Sequence, residues 1–134
     1  MKKLCVVLAD YYKDVSKMLL DAAISEQVKN KTDCVIKKVY HVPGAFEIPV
    51  IISKNINKYD GFVALGCVIR GETYHFNLIA NECARKIIDI SNNSLKPIGF
   101  GVLTCENINQ AIERSDITKK NKGKEAANAC IKLL

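Results

Sequence analysis

Four short runs of apolar residues occur along the chain and predict four β-strands. They cover residues 4–9 (LCVVLA), 34–42 (CVIKKVYHV), 61–69 (GFVALGCVI) and 98–104 (IGFGVLT). The first, third and fourth runs are almost continuously apolar or small, which is typical of parallel strands covered on both faces. The second run alternates more between apolar and polar residues, which predicts a strand at the edge of the sheet.

Between these runs, apolar residues recur at the spacing of amphipathic helices. The clearest pattern covers residues 76–90, where Phe76, Cys83 and Ile87 belong to one continuous apolar stripe. Pro49 lies in another helical segment, which tolerates it only near the helix start. The remaining predicted helices cover residues 15–22, 48–56, 108–112 and 123–134.

The alternation of strands and helices predicts one α/β domain over residues 1–134. Because crossovers between parallel strands are right-handed, the helices cover both faces of the sheet. We therefore expect a three-layer sandwich around a four-stranded parallel sheet. Ligands of such sheets bind beyond the carboxyl ends of the strands, so we expect the site among the residues that follow each predicted strand.

The overall composition is that of an ordinary globular domain, with 49% hydrophobic and 25% charged residues. The formal net charge of +6 favours anionic partners, although a solvated basic surface is its commoner meaning. No nucleic-acid-binding motif accompanies this charge, so we do not expect a nucleic-acid partner. No apolar run has the roughly 18 residues of a membrane span, so we expect no membrane contact.

The cysteines indicate a reducing compartment. None of the six forms a CxxC pair, so neither a zinc knuckle nor a thioredoxin-type redox motif is predicted. Most stand within apolar runs, where a buried thiol acts as a small hydrophobic side chain. The apolar stretch at the N-terminus is too short for the core of a signal peptide. Together these features predict a cytoplasmic protein.

His75 is the first candidate for chemistry, because it stands where the third strand gives way to a helix. An imidazole titrates near neutral pH and can transfer protons there. A surface or capping histidine is the alternative. His41 lies inside a predicted strand and is interpreted as structural.

A phosphate site is the second candidate feature. Gly71, Glu72 and Thr73 are predicted to open the helix that follows the third strand, and a helix N-terminus binds anions readily. A simple N-cap by Thr73 is the alternative. Arg114 is a further candidate because a guanidinium holds phosphate in a bidentate manner. Neither GxGxxG nor GxxxxGK[ST] is present, so nucleotide binding through those loops is not predicted.

Aromatic side chains follow the first two strands. Tyr11, Tyr12 and Phe46 are able to stack on a heterocycle, although core packing is the commoner fate of each. Glu47 is either a charge at a helix N-terminus or a hydrogen-bond acceptor for a ligand. On their own, these residues indicate an α/β protein that binds a small phosphorylated or heterocyclic ligand.

Four segments together resemble the lumazine synthase family. They are residues 42–49 (VPGAFEIP), 64–76 (ALGCVIRGETYHF), 99–104 (GFGVLT) and 112–127 (IERSDITKKNKGKEAA). The resemblance covers nearly the whole chain and implies a flavodoxin-like sandwich. It also implies a transferase that condenses 5-amino-6-(D-ribitylamino)uracil with 3,4-dihydroxy-2-butanone 4-phosphate. The products are 6,7-dimethyl-8-ribityllumazine, phosphate and water, in the penultimate step of riboflavin biosynthesis, and no metal or organic cofactor takes part.

Two other interpretations compete with this one. The first is the archaeal-type riboflavin synthase, a paralogue of similar architecture, which the GETYHF and NKGKEAA segments fit less well. The second is a flavin- or nucleotide-binding module without catalysis, against which the combined presence of His75, Arg114 and Lys122 argues.

The resemblance assigns roles to individual residues. His75 matches the proton-transfer histidine, and Arg114 matches the arginine that holds the substrate phosphate, beside Glu72 and Thr73. Tyr11 matches the aromatic that stacks on the pyrimidine, with Tyr12 as the alternative register. The positions that match the other pyrimidine and ribityl contacts are Ala45, Phe46, Glu47, Cys67, Val68 and Ile69.

The resemblance also implies an active site between subunits. Phe100, Lys122 and Glu125 match residues that a neighbouring subunit supplies. We expect a homopentamer, with a sixty-subunit shell as the alternative and riboflavin synthase as a further partner. The sequence starts at its first strand, whereas many family members have an N-terminal extension, and the loop SDITKK (115–120) lacks the family's usual glycines. Both departures favour the pentamer over the shell.

Overall fold

The computed structural model describes residues 1–134, and its centre is one parallel β-sheet. The sheet contains β1 (Lys2–Ala9), β2 (Cys34–Val42), β3 (Gly61–Ile69) and β4 (Ile98–Cys105). These strands lie in the order β2-β1-β3-β4, and every neighbouring pair is parallel. All four predicted strands are confirmed, and β2 lies at an edge of the sheet as expected.

Helices connect and follow the strands as the apolar stripes predict. A short 3-10 turn at Ala45–Glu47 leads into α2, where Pro49 stands in the first turn and so breaks no hydrogen bond within the helix. None of the helices is both long and apolar enough to cross a lipid bilayer. The helices are α1 (Lys13–Lys29), α2 (Ile48–Lys54), α3 (His75–Ser94), α4 (Ile108–Ser115) and α5 (Lys122–Lys132).

The hydrophobic core lies in two layers, one on each face of the sheet. Successive side chains along a strand point to opposite faces, so β1 places Leu4, Val6 and Leu8 on one face and Cys5 and Val7 on the other. The first face is covered by α1, α4 and α5, and the second by α2 and α3. This arrangement confirms the three-layer sandwich. All six cysteines are free and buried.

The fourth strand differs from the expectation that it would be covered on both faces. It is the second edge of the sheet, and Phe100 is 44% exposed on its open face. The small residues of β4 have another cause. A side chain at Gly99 would overlap the backbone carbonyl of Ala126, and a Cβ at Gly101 would lie 2.9 Å from the Cβ of Ala126. The glycines of β4 therefore allow α5 to pack closely against one face.

The strand order creates a crevice in the middle of the sheet. β1 and β3 are neighbours, and the chain leaves them on opposite faces and in opposite directions, through α1 towards β2 and through α3 towards β4. This is the order of a flavodoxin-like fold, in which ligands bind where the two connections diverge. The fold therefore directs attention to the segments that follow Ala9 and Ile69.

Candidate active site

A cavity of about 290 Å³ opens at this divergence, beyond the carboxyl ends of β1 and β3. Its walls come from four segments that are far apart in the sequence. Six of the site residues assigned by sequence lie in these walls, which agrees with the expected rim of the sheet. The lining residues are Tyr11, Tyr12, Gly44, Ala45, Cys67, Val68, Ile69, His75 and Ile79.

The two tyrosines after β1 lie in different environments. Tyr11 is 73% exposed, whereas Tyr12 packs against the core, and burial raises the pKa of the Tyr12 phenol. Their rings meet edge to face, with 4.9 Å between centroids and 78° between planes. The hydroxyl of Ser16 donates a hydrogen bond to the Ala9 carbonyl at 3.0 Å and so fixes the turn that precedes them. Tyr11 is therefore the more accessible of the two rings for a flat ligand, although both line the cavity.

The segment after β2 forms the opposite wall. Ala45 is buried in the cavity, but Phe46 is 57% exposed and lines a separate groove between α2 and α3. Glu47 is half-buried, and a Cβ at Gly44 would lie 3.3 Å from its Oε1 atom. Glycine at position 44 therefore leaves room for this carboxylate beside the cavity.

The end of β3 supplies an apolar wall. Cys67 is buried, and desolvation raises the pKa of its thiol to about 12. A thiol with so high a pKa remains protonated at neutral pH and is a poor nucleophile. Cys67 therefore serves as a wall of the cavity beside Val68 and Ile69. No cluster of three or more His, Cys, Asp or Glu side chains has the arrangement of a metal site.

His75 is the first residue of α3, and its imidazole is exposed at the cavity. Gly71, Glu72 and Thr73 therefore precede the helix instead of opening it, which corrects the sequence prediction. The hydroxyl of Thr73 accepts a hydrogen bond from the backbone N–H of His75 at 3.3 Å. Glu72 and Thr73 are both exposed, so their backbone N–H groups and the Thr73 hydroxyl hydrogen are free to meet an anion at this end of the cavity.

Three of the assigned residues lie on β4, α4 and α5, away from the cavity of their own chain. Arg114 is on α4, where its Nη1 donates to the Gln110 carbonyl at 3.3 Å. Phe100 is on the open face of β4, beside α3. Lys122 begins α5, and its Nζ lies 2.9 Å from Oε2 of Glu125. None of these three side chains lines the cavity.

The loop between α4 and α5 is ordered without glycine. The carboxylate of Asp116 accepts hydrogen bonds from the backbone N–H and the hydroxyl of Thr118, at 2.8 and 2.7 Å. These bonds lower the pKa of Asp116. Asn121 takes the left-handed conformation, with φ of 47°, which asparagine tolerates better than most residues. Side-chain hydrogen bonds and one asparagine thus replace the glycines that the family resemblance leads one to expect.

Sequence reasoning assigned no role to three residues of the site region. Gly44 and Ile79 line the cavity, and Ile79 lies one helical turn after His75 on the same face of α3. That spacing is the signal from which Ile79 could have been predicted. Arg70 stands at the end of β3, and its side chain reaches Glu106 on the loop after β4. Only the fold brings this pair together.

Comparison with known proteins gives one consistent result. The family model described as 6,7-dimethyl-8-ribityllumazine synthase matches residues 1–134. A protein of that name from Zymomonas mobilis subsp. mobilis is 43% identical, over 99% of this chain and 94% of its own length. Proteins of the same name from Bartonella tribocorum (43% identical; 96% and 85% of the two chains) and Ruthia magnifica subsp. Calyptogena magnifica (41%; 98% and 83%) are also similar.

Proposed function

The chain belongs to the 6,7-dimethyl-8-ribityllumazine synthase family, a family of transferases in riboflavin biosynthesis, and we propose that the cavity between β1 and β3 is its catalytic site. One observation carries the proposal: Tyr11, Ala45 and His75, from three distant segments, line the same cavity where the strand order reverses. The reaction is the condensation of 5-amino-6-(D-ribitylamino)uracil with 3,4-dihydroxy-2-butanone 4-phosphate. The comparisons favour it over the riboflavin synthase alternative.

The pyrimidine substrate binds between the wall that contains the two tyrosines and the wall at the end of β3. Its flat ring stacks on the exposed face of Tyr11, while the backbone at Cys67, Val68 and Ile69 offers polar groups at the strand end. The ribityl chain extends along the segment after β2, where Glu47 provides an acceptor for its hydroxyl groups. The Phe46 side chain faces a groove outside this cavity. Phe46 therefore contacts the ligand either in the cavity of a neighbouring copy or through its own backbone.

The phosphate substrate binds at the other end of the cavity. Glu72 and Thr73 are exposed just before α3, and their backbone N–H groups and the Thr73 hydroxyl are donors for phosphate oxygens. Arg114 supplies the bidentate guanidinium from a second copy. Fixing both substrates in one cavity converts a bimolecular attack of amine on carbonyl into a reaction between oriented partners, and this supplies most of the acceleration.

His75 transfers protons during imine formation and phosphate elimination. Its imidazole is exposed at the cavity and has no hydrogen-bond partner elsewhere in the chain, so it is free to meet the substrates. An imidazole both accepts and donates a proton near neutral pH, as successive steps of the condensation require.

A second copy of the chain completes the site. The cavity is small for two substrates, since ligand pockets usually enclose about 300–1,000 Å³. Beside it, Phe46, Val50, Leu78, Ile88 and Phe100 leave an exposed apolar surface across α2, α3 and β4. A neighbour seated on this surface would bring Phe100, Arg114 and Lys122 of one copy towards the cavity of the next. Repeated head-to-tail contacts of this kind close into a ring, and we propose a homopentamer.

The family assignment and the thiols support two further parts of the proposal. Six free buried cysteines fit a reducing compartment, so we place the enzyme in the cytoplasm. Its lumazine product is the substrate of riboflavin synthase, which is therefore the expected protein partner.

The test is to mix the purified protein with both substrates and to follow lumazine absorbance and phosphate release together. We expect the two products to appear in equal amounts, well above the rate without protein. A folded protein that leaves this rate unchanged, or that releases phosphate without forming lumazine, would contradict the proposal. Sedimentation velocity tests the pentamer, against a monomer or a sixty-subunit shell.

A further inference from the structure

Arg70 connects the end of β3 to the loop after β4 and to the first turn of α3. Its backbone N–H donates to the Cys105 carbonyl at 2.9 Å, and its Nε donates to Oε2 of Glu106 at 2.8 Å. Its Nη1 lies 3.4 Å from Oδ1 of Asn77. The guanidinium carbon lies 4.5 Å from the centroid of the Phe76 ring. One side chain thus holds the two residues that directly follow His75.

The segment between Arg70 and His75 is otherwise weakly restrained. Every residue from 71 to 75 is exposed, and a Cβ at Gly71 would meet nothing within 4 Å. Tyr74, at the N-cap position of α3, makes no side-chain capping bond. The local restraints on this segment are the 3.3 Å bond from the His75 N–H to the Thr73 hydroxyl and the 3.1 Å bond from the Leu78 N–H to the Tyr74 carbonyl. The placement of the His75 imidazole therefore depends on what holds the first turn of α3.

We propose that Arg70, anchored by Glu106, is a positioning residue for His75. The inference rests on the proposed catalytic role of His75. Both side chains of the ion pair are substantially exposed, at 42% and 59%, so the pair contributes little to the free energy of unfolding. Its effect is geometric: stacking on Phe76 and the contact to Asn77 hold the first turn of α3 against the loop after β4. A misplaced acid–base group loses rate steeply with distance.

The first experiment observes His75 without any assay of activity. The chain contains only two histidines, so the imidazole signals of His41 and His75 can be assigned by NMR with one His41→Gln variant. In Arg70→Met, which keeps an apolar stem but removes the guanidinium, we expect the His75 signal to shift or broaden and that of His41 to stay in place. Lys17→Met is the matched control, since Lys17 forms an exposed ion pair of the same 2.8 Å length with Asp21 on α1.

The second experiment asks whether Arg70 acts through His75. Arg70→Met is expected to lower kcat about 3- to 10-fold, with a smaller change in the KM of the pyrimidine and a melting temperature close to that of the parent. In a His75→Ala background the same substitution is expected to have no further effect on kcat. Arg70→Lys keeps the charge, but an ammonium group cannot stack on a ring and form several directed hydrogen bonds at the same time. Its kcat is therefore expected to lie between those of the parent and Arg70→Met.

Clear outcomes would overturn the proposal. An unchanged His75 signal in Arg70→Met would do so, and so would an equal loss of kcat with and without His75. If Arg70→Met does not fold, Glu106→Gln is measured in its place. Loss of the ion pair to Arg70 should shift the His75 signal in the same way, by a smaller amount. A parent protein that forms no lumazine would refute the proposed function, while the NMR result would still decide whether Arg70 positions His75.

Discussion

Asp10 and His41 join the two walls of the cavity across the ends of β1 and β2. Oδ2 of Asp10 lies 3.0 Å from Nδ1 of His41 and 3.7 Å from Nζ of Lys13. The backbone N–H of Asp10 also donates to the Val42 carbonyl at 3.3 Å. The hydrogen bond from His41 lowers the pKa of Asp10. His41 thus has the structural role expected from its place in a strand, and Asp10 fixes the turn that presents Tyr11.

This pair predicts a pH-dependent effect of Asp10→Asn on stability. A carboxylate whose pKa is lower in the folded state stabilises the fold above its unfolded pKa of about 3.9, and this stabilisation is lost as the pH falls through the folded value. Asp10→Asn should therefore reduce the free energy of unfolding at pH 6–7, and this reduction should shrink progressively as the pH falls below about 4. Urea unfolding at several pH values measures the difference. Asp33→Asn, at an exposed carboxylate without an ion pair, should show no such trend.

Tyr11 is expected to determine affinity for the pyrimidine substrate. Loss of a stacked ring costs about 0.5–1.5 kcal/mol beyond the buried area, so Tyr11→Ala should raise the KM of the uracil substrate by at least about 2- to 12-fold. Tyr11→Phe should leave it nearly unchanged, because the ring is retained. Steady-state kinetics with each substrate varied in turn provides the measurement. If Tyr12→Ala, in a variant that remains folded, raises this KM and Tyr11→Ala does not, the stacking role belongs to Tyr12.

Arg114 is expected to act on the phosphate substrate alone. A charge-assisted bond to phosphate contributes about 2–3 kcal/mol, so Arg114→Ala should raise the KM of the butanone phosphate roughly 30- to 150-fold. The KM of the uracil substrate should change little. Arg114→Lys keeps the charge without the fork and should recover part of the loss. Equal losses for both substrates would count against phosphate binding by Arg114.

His75 is expected to accelerate the reaction only moderately. Proximity supplies the larger share of catalysis here, so His75→Ala should lower kcat about 10- to 100-fold, at the low end of general acid–base effects. The measurement is the initial rate at saturating concentrations of both substrates, with circular dichroism to verify the fold. A loss of about 10⁴-fold or more would show that proton transfer dominates instead.

The sequence predicted most of the fold because two simple periods dominate it. α3 follows its apolar stripe, and β3 is continuously apolar because helices cover both of its faces. β4 has a similar composition for another reason, since Gly99 and Gly101 admit α5 while Phe100 remains uncovered. Composition alone cannot separate a strand that is buried on both faces from an edge strand with one close neighbour.

The candidate site was predictable only in part. Residues that come within a few positions after a strand, such as Tyr11 and His75, meet at one rim because parallel strands end together. Arg70 and Glu106 meet through side chains of two different loops, and no local pattern records that contact. Arg114 and Phe100 lie away from the cavity in a single chain, so their role depends on how a second copy packs against the first.

Each active site is proposed to be shared between two copies, and a mixed assembly of two inactive variants tests this sharing. A Tyr11→Ala/His75→Ala chain and an Arg114→Ala/Phe100→Ala chain, with different affinity tags, are coexpressed and purified through both tags. With equal amounts of each chain, roughly a quarter of the sites in a head-to-tail ring combine an intact cavity from one chain with intact Arg114 and Phe100 from its neighbour. We expect the mixed assembly to be clearly more active than either variant alone. A mixed assembly that is no more active than the average of the two variants would contradict a shared site. A fully active monomer of the unsubstituted protein in sedimentation velocity would also contradict it.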